Sequence, residues 1–346
     1  MFLKVYLNKT GKYKTKTYIL TQKKFKNYYR EMGFRVLCAD SLLYRVSYKI
    51  LAALHQPELF YHLVDKDCWF IMLGGSLFAE NKGENAESLQ LKNLAFAVKR
   101  AQETFVIGSN FGPYKNNSFL EGYTNLFMNT NDVCFRDKKS LDLFRGSLKN
   151  VRFSPDVVFE GEWHQTFSTL KNKVVISAID LSCRENLSKY NDIYAKTLSD
   201  ICIKHIKNGD QVILLSLCES EGDTIACNNI QEIVKAKIKT TIDIIRYTET
   251  NEILGLIENA KKIYATRFHA LMISLYFQKK VVSIAYNEKT INATTSYCSD
   301  CPSFPIWMFN EQSAEKMYRC DRIPTVLMPH SNQFQKLEEA LTNLTG

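Results

Sequence analysis

Apolar positions along this chain follow two alternating rhythms. Short runs rich in Val, Ile and Phe are followed by longer stretches with apolar residues every third or fourth position. In the first half the short runs are KTYIL (16–20), FRVLCA (34–39), WFIMLGG (69–75), TFVIGSN (104–110), DVCFRD (132–137) and DVVF (156–159). Between them lie helix-period stretches such as LLYRVSYKILAAL (42–54) and ESLQLKNLAFAVKRAQ (87–102). The second half repeats the plan with KVVISAI (173–179), QVILLSLC (211–218), TIDIIRY (241–247), KIYA (262–265) and VVSIAY (281–286). Near-continuous apolar strands predict sheets covered on both faces, hence parallel strands in an α/β protein. A chain of 346 residues is long for one core and comfortable for two. EGEWHQTFSTLKNK (160–173) has weak periodicity and reads as a linker. The predicted fold is therefore α/β, two doubly wound Rossmann-like domains facing a cleft. They span 1–165 and 166–330, with a last helix in 331–346 packing back across the first.

Ligands of such folds bind beyond the carboxyl ends of the strands, so the strand ends are where chemistry is expected. WFIML runs into Gly74, Gly75 and Ser76, where paired glycines permit a tight turn or a close ligand. TFVIGSN ends at Asn110, whose amide could bond a ligand or stabilise the turn. DVCF ends at Arg136, a planar fork suited to carboxylate or phosphate, or to pairing with the neighbouring Asp137. Asp156 follows at another turn. QVILLSLC ends in Glu219, Glu221 and Asp223, which could orient sugar hydroxyls, act as acid or base, hold a metal, or form a solvated acidic turn.

ATRFHALMISLYF (265–277) is the most pointed of these segments. KIYAT leaves the sheet, Thr266 is a suitable N-cap, and Arg267 and His269 open an otherwise apolar helix. A helix N-terminus disfavours cations unless an anion completes the arrangement. Backbone N–H groups, Arg267 and His269 together would form a pocket for phosphate or carboxylate. His269, held near neutrality there, could trade a proton. The competing structural role has Arg267 reaching to solvent and His269 packed in a turn.

Charge and cysteine content refine this only a little. The net charge is +9, much of it from lysines 4, 9, 12, 14, 16, 23, 24 and 26. Such a surface suits phosphate groups, anionic lipid or nucleic acid, or is simply a solvated basic face, and no zinc-finger spacing or RNP motif supports nucleic acid. Ten cysteines are scattered, and the one close pair, Cys298 and Cys301, lacks the second pair a structural zinc site needs. No run of about 18 apolar residues suggests a membrane span, and the N-terminus has no secretory pattern. A cytoplasmic location is expected, with peripheral contact on the inner face of the membrane.

Taken in order, GGSLF (74–78), GSNFGPY (108–114), VCFRDKKS (133–140), SPDVVF (154–159), SLCESEGD (216–223) and ATRFHALMISLYFQKKVVSIAYNEKT (265–290) resemble the polysaccharide pyruvyl transferases. The match in order and spacing covers about residues 65 to 292. The first 60 residues lack the Gly-rich N-x-G-D-like turn usual in that family. The resemblance implies a GT-B-like fold with the acceptor on the N-terminal side and the donor on the C-terminal side. It implies transfer from phosphoenolpyruvate to two sugar hydroxyls of a surface polysaccharide or its lipid-linked precursor, forming a pyruvate ketal without a cofactor or metal. Catalysis would fall to Arg267, His269, Glu219 and Glu221. The donor would meet Arg136, Arg267, His269, Gly74, Gly75, Ser76 and Asn110; the acceptor would meet Glu219, Glu221, Asp223 and Lys289. Replacing Arg267 or His269 is expected to remove activity and leave the fold intact. The alternatives are a GT-B glycosyltransferase using a nucleotide sugar and a non-catalytic glycan-binding relative.

Overall fold

The computed structural model describes residues 6, 9–11, 16–80, 88–163, 172–298 and 300–345. Lysines 4, 12 and 14 and most of the expected linker lie outside these residues. The chain divides into two compact units, Phe2–Glu160 with Asn332–Gly346, and Gly161–Ser331.

Among its described residues the unit formed by Gly161–Ser331 holds six parallel strands: β7 (Val174–Ser177), β8 (Val212–Ser216), β9 (Asp243–Arg246), β10 (Lys262–Ala265), β11 (Val281–Ala285) and β12 (Ser303–Pro305). Their order across the sheet is β12-β11-β10-β7-β8-β9. Read from the other edge this is the 3-2-1-4-5-6 order of a doubly wound nucleotide-binding sheet. Strands β7, β8, β10 and β11 are buried along their whole length, which is why they appear in the sequence as unbroken apolar runs. The helices Asn191–Lys207 and Asp223–Ile238 cover the sheet with Leu198, Ile201, Cys202, Cys227, Ile230 and Val234. Because β7 and β10 are neighbours whose connections run to opposite sides, a crevice opens at their carboxyl ends.

Among its described residues the other unit has two sheets. β1 (Tyr18–Thr21) and β2 (Arg35–Cys38) pair in parallel by themselves. β3 (Trp69–Leu73), β4 (Glu103–Ser109), β5 (Asp132–Phe135) and β6 (Val151–Phe153) form a parallel sheet in chain order. Behind the strand ends sits an aromatic cluster, with Phe111 edge-on to Phe144 at 4.9 Å and Phe127 edge-on to Phe144 at 5.2 Å. Each such pair adds about 0.5–1.5 kcal/mol beyond its buried area. Phe111 also donates its backbone N–H to the Ser140 hydroxyl at 2.8 Å, so the loop after β4 is anchored by its own side chain and main chain.

Three strand assignments change. Residues 156–159, read as a strand, form a 3-10 turn at Val157–Phe159, because the Asp156 carboxylate accepts from the Val158 N–H at 3.2 Å and bends the backbone. The actual strands β6 and β12 have three residues each, too few to show a period.

The C-terminal segment is held on β6. Arg152 pairs with Asp132 through Nε at 2.8 Å, and its remaining groups donate to the carbonyls of Asn332 and Gln333 at 2.9 and 2.7 Å. Gln333, fully buried, donates through Nε2 to the Pro155 carbonyl at 2.7 Å. Phe334 is fully buried beside Tyr6. Arg152→Ala is expected to lower stability by about 2–3 kcal/mol, the scale of charge-assisted hydrogen bonds. Denaturant unfolding measures the loss, and faster proteolysis within residues 332–345 would show that the segment has come loose.

Candidate functional site

The signature segments gather at strand carboxyl ends, in one cluster per unit.

In the N-terminal unit, Gly74 and Gly75 take φ of +76° and +70°, a left-handed backbone that glycine adopts without strain. The turn lets the Gly74 N–H reach the Ile107 carbonyl at 2.7 Å, while the Gly75 carbonyl accepts from the Ser109 hydroxyl at 3.0 Å. The Asn110 side-chain oxygen accepts from the Ser76 hydroxyl at 3.1 Å and from Arg136 Nη2 at 3.0 Å. Arg136 Nη1 donates to Asp156 at 2.9 Å. Arg136 is 2% exposed and Asp156 fully buried. Arg136, expected to hold a donor directly, is thus buried and paired within the unit. Its two terminal nitrogens are engaged by Asp156 and Asn110, and the fork braces the ends of β3, β4 and β5 against the turn after β6. Gly74, Gly75, Ser76 and Asn110 belong to the same brace.

In the C-terminal unit, Arg267 follows β10 at the switch point. It precedes the helix Phe268–Tyr276 in the N-cap position, with extended backbone. Thr266 is not the cap: its hydroxyl is buried and shares a hydrogen bond with Tyr194 at 2.9 Å, while the Arg267 N–H donates to the Ser177 hydroxyl at 3.3 Å. The guanidinium turns toward the end of β8. Nε donates to Asp223 Oδ2 at 2.8 Å, Nη2 donates to Asp223 Oδ1, and Nη1 donates to Glu221 at 2.6 Å. Asp223 is fully buried and also accepts from the backbone N–H groups of Leu217 and Cys218 at 3.1 and 2.9 Å. Burial opposes the charge of Arg267, but the two carboxylates override it and raise the arginine pKa above its usual value.

Three of the expected residues are placed differently from a free site. Asp223 is sealed beneath Arg267 as the arginine's counter-ion. Glu221 is bound by two arginines, since Arg184 Nη2 donates to the same carboxylate oxygen at 2.7 Å. Partial burial would raise its pKa, yet the hydrogen bonds from Arg267 and Arg184 hold it at about 2. So acidic a carboxyl is a poor base toward a sugar hydroxyl at neutral pH. Nor is the anion pocket built on an uncommitted Arg267, because Glu221 takes the outward face of the guanidinium.

Glu219 stands exposed, 3.9 Å from Arg246. His269 is exposed on the first turn of the helix. Lys289, in the first turn of the helix Glu288–Tyr297 that follows β11, has its Nζ 5.1 Å from the Phe268 ring at the same helix start. Arg184 was not anticipated. It lies in the loop after β7, where no turn pattern marked it, and its guanidinium rests on the Tyr286 ring at 5.3 Å. Gly222 fixes the spacing of the acidic turn. Its φ is +84°, and a Cβ there would stand 2.7 Å from the Asp180 Cβ. The result is a cationic rim of Arg184, Arg267 and Lys289, with Glu221 among them and His269 beside them.

Two parallel α/β units, the C-terminal one with the strand order of a Rossmann-like domain, are the make-up of a GT-B-like protein. UDP-GlcNAc 2-epimerase from Methanocaldococcus jannaschii is similar in fold, with a TM-score of 0.60 at 12% identity over 99% of this chain and 96% of that one. The same enzyme in complex with UDP-GlcNAc and UDP gives a TM-score of 0.54 at 11% identity over 92% and 87%. The sequence matches the polysaccharide pyruvyl transferase family over residues 6–288, and the chain belongs to that family. The match takes in the N-terminal residues that lack the N-x-G-D-like turn. Amylovoran biosynthesis protein AmsJ of Erwinia amylovora is 21% identical over 259 residues, 68% of this chain and 61% of that protein.

Arg267→Ala, expected from the sequence to spare the fold, should instead cost about 3–5 kcal/mol, because it leaves Asp223 buried without its counter-ion. Urea unfolding checks this, and Arg267→Lys should recover part of the loss. Glu221 ionises more readily folded than unfolded. Its contribution is therefore complete above about pH 4.5 and is lost as pH falls toward about 2. Glu221→Gln should flatten that limb of the stability–pH curve by on the order of 1 kcal/mol, solvent screening having reduced the effect.

Proposed function

We propose that the chain transfers the enolpyruvyl-derived group of phosphoenolpyruvate to two hydroxyls of a sugar in a polysaccharide or its lipid-linked precursor. Family membership supports a transfer of this class. The observation that carries the donor assignment is the cationic rim at the β7/β10 crevice, where Arg184 and Arg267 converge on a single partly exposed carboxylate.

Phosphoenolpyruvate brings a phosphate and a carboxylate on a three-carbon frame. Either group can replace Glu221 between the two guanidinium groups, whose planar forks suit both carboxylate and phosphate. Glu221 then swings toward solvent, while Asp223 keeps Arg267 aimed. The reaction begins with a proton on the methylene carbon, which leaves positive charge at the neighbouring carbon. One sugar hydroxyl adds there and loses its proton. The C–O bond to phosphate breaks, the second hydroxyl adds, and its proton leaves with the phosphate. The products are one ketal and one inorganic phosphate. His269, at the mouth of the crevice, is the group assigned to deliver the first proton and take one back. Glu219 and Lys289 remain as contacts for the acceptor.

Thermal unfolding with phosphoenolpyruvate, beside a set of nucleotide sugars, tests the donor. Near 100 times the dissociation constant, binding adds about 2.7 kcal/mol. That corresponds to roughly 5–10 °C for a chain of this size. The shift should appear with phosphoenolpyruvate and disappear in Arg184→Ala. A shift with a nucleotide sugar alone would replace this reading with a glycosyltransferase. His269→Ala, a change at an exposed position, should keep the melting temperature and lower kcat by about 100-fold or more.

A further inference from the structure

The helix Leu42–Ala53 is inside out. It carries one buried side chain, Tyr44, whose hydroxyl donates to Glu58 at 3.0 Å. At 3.6 residues per turn, Leu42, Leu43, Val46, Ile50, Ala53 and Leu54 fall within an arc of about 120° on the side away from Tyr44. That side faces solvent: Leu43 is 83% exposed, Leu42 77%, Leu54 62% and Ile50 55%. An amphipathic surface helix normally buries such a stripe. A contiguous apolar face left in water marks a docking surface.

The surroundings specify the partner. Arg45 and Lys49 are exposed along one border of the stripe. The Lys23 N–H donates to Asp40 at 2.7 Å, which seats the exposed turn Lys23-Lys24-Phe25 beside the start of the helix. Both segments leave the same edge of the small sheet, since Thr21 and Cys38 are paired at the ends of β1 and β2. Residues 16–55 hold eight Lys or Arg against Glu31 and Asp40, a net charge of +6. An apolar stripe bordered by cations suits the boundary between acyl chains and anionic headgroups, and a second copy of this chain would set like charges against each other. Among the described residues no helix is long and apolar enough to cross a membrane.

We propose that this face seats the protein on an anionic bilayer, with Leu42, Leu43, Val46, Ile50 and Leu54 entering the headgroup boundary and Lys23, Lys24, Arg45 and Lys49 holding lipid phosphates. The inference deepens the proposed function, since it rests on an acceptor carried on lipid for its purpose. The binding itself needs neither donor nor acceptor, so it stands or falls apart from the transfer reaction.

Co-sedimentation with phosphatidylcholine vesicles, with and without phosphatidylglycerol, is the test. The wild type should pellet with the anionic vesicles and bind the neutral ones more weakly. Leu43→Ser with Ile50→Ser should weaken binding about tenfold or more, because two buried apolar side chains are lost. Their exposure means the melting temperature should hold. Arg45→Glu with Lys49→Glu should remove the preference for anionic lipid. Equal binding of the Leu43/Ile50 variant, or no binding by the wild type, overturns the proposal. A wild-type dimer in sedimentation velocity that the same double variant dissociates, without vesicle binding, would assign the face to a second copy and overturn it equally.

Discussion

The carboxylate of Asp223, fully buried and clasped by Arg267, is the constraint around which the C-terminal unit is arranged. An ionised group taken out of water must find its compensation in fixed positions, and here it comes from one guanidinium and two backbone N–H groups. Each of those belongs to a different level of the fold. The N–H groups are where β8 breaks into its turn, and the guanidinium stands where β10 gives way to a helix. Strand ends that belong to separate crossovers are thereby locked in register, and the crevice between β7 and β10 acquires a rigid positive lip. A second buried pair, Arg136 with Asp156, plays the corresponding part in the N-terminal unit. In both, the arginine that looked most like a ligand contact is first a structural member. That explains how such residues sit at the rim of a site without drifting.

Much of this architecture was legible from the pattern of apolar residues. Strands buried on both faces leave unbroken apolar runs, so β3, β4, β5, β7, β8, β10 and β11 could be located to within a residue or two. β6 and β12 escaped because three residues carry no period. The run at 156–159 misled because its composition is that of a strand while the Asp156 side chain makes the conformation that of a turn.

The site was legible only in part, for a different reason. Residue types at strand ends announced where charged groups would stand, but not which of them would meet. Glu221 and Asp223 lie two residues apart on one turn, yet one is a solvent-facing bridge between two arginines and the other is sealed beneath one. Arg184 had no sequence signal, since its place is set by the path of a loop and by the flat face of Tyr286. The two lateral neighbours of β7, which bring Arg184, Glu221 and Arg267 together, come from segments roughly 40 and 90 residues away, and no local rule reports such meetings.

The placement of Asn332–Gly346 with Phe2–Glu160 bears on how the protein is made. A chain emerging from the ribosome presents its segments in order, and domains tend to fold as they appear. Here the N-terminal unit appears first but cannot be completed, because the partner of Arg152 and the plug formed by Phe334 are translated after every strand of the other unit. Gly161–Ser331 carries no such debt. The unit that begins the chain is therefore the last to be finished, and until then the ends of β5 and β6 wait with Asp132 and Arg152 lacking the cover that the closing segment brings.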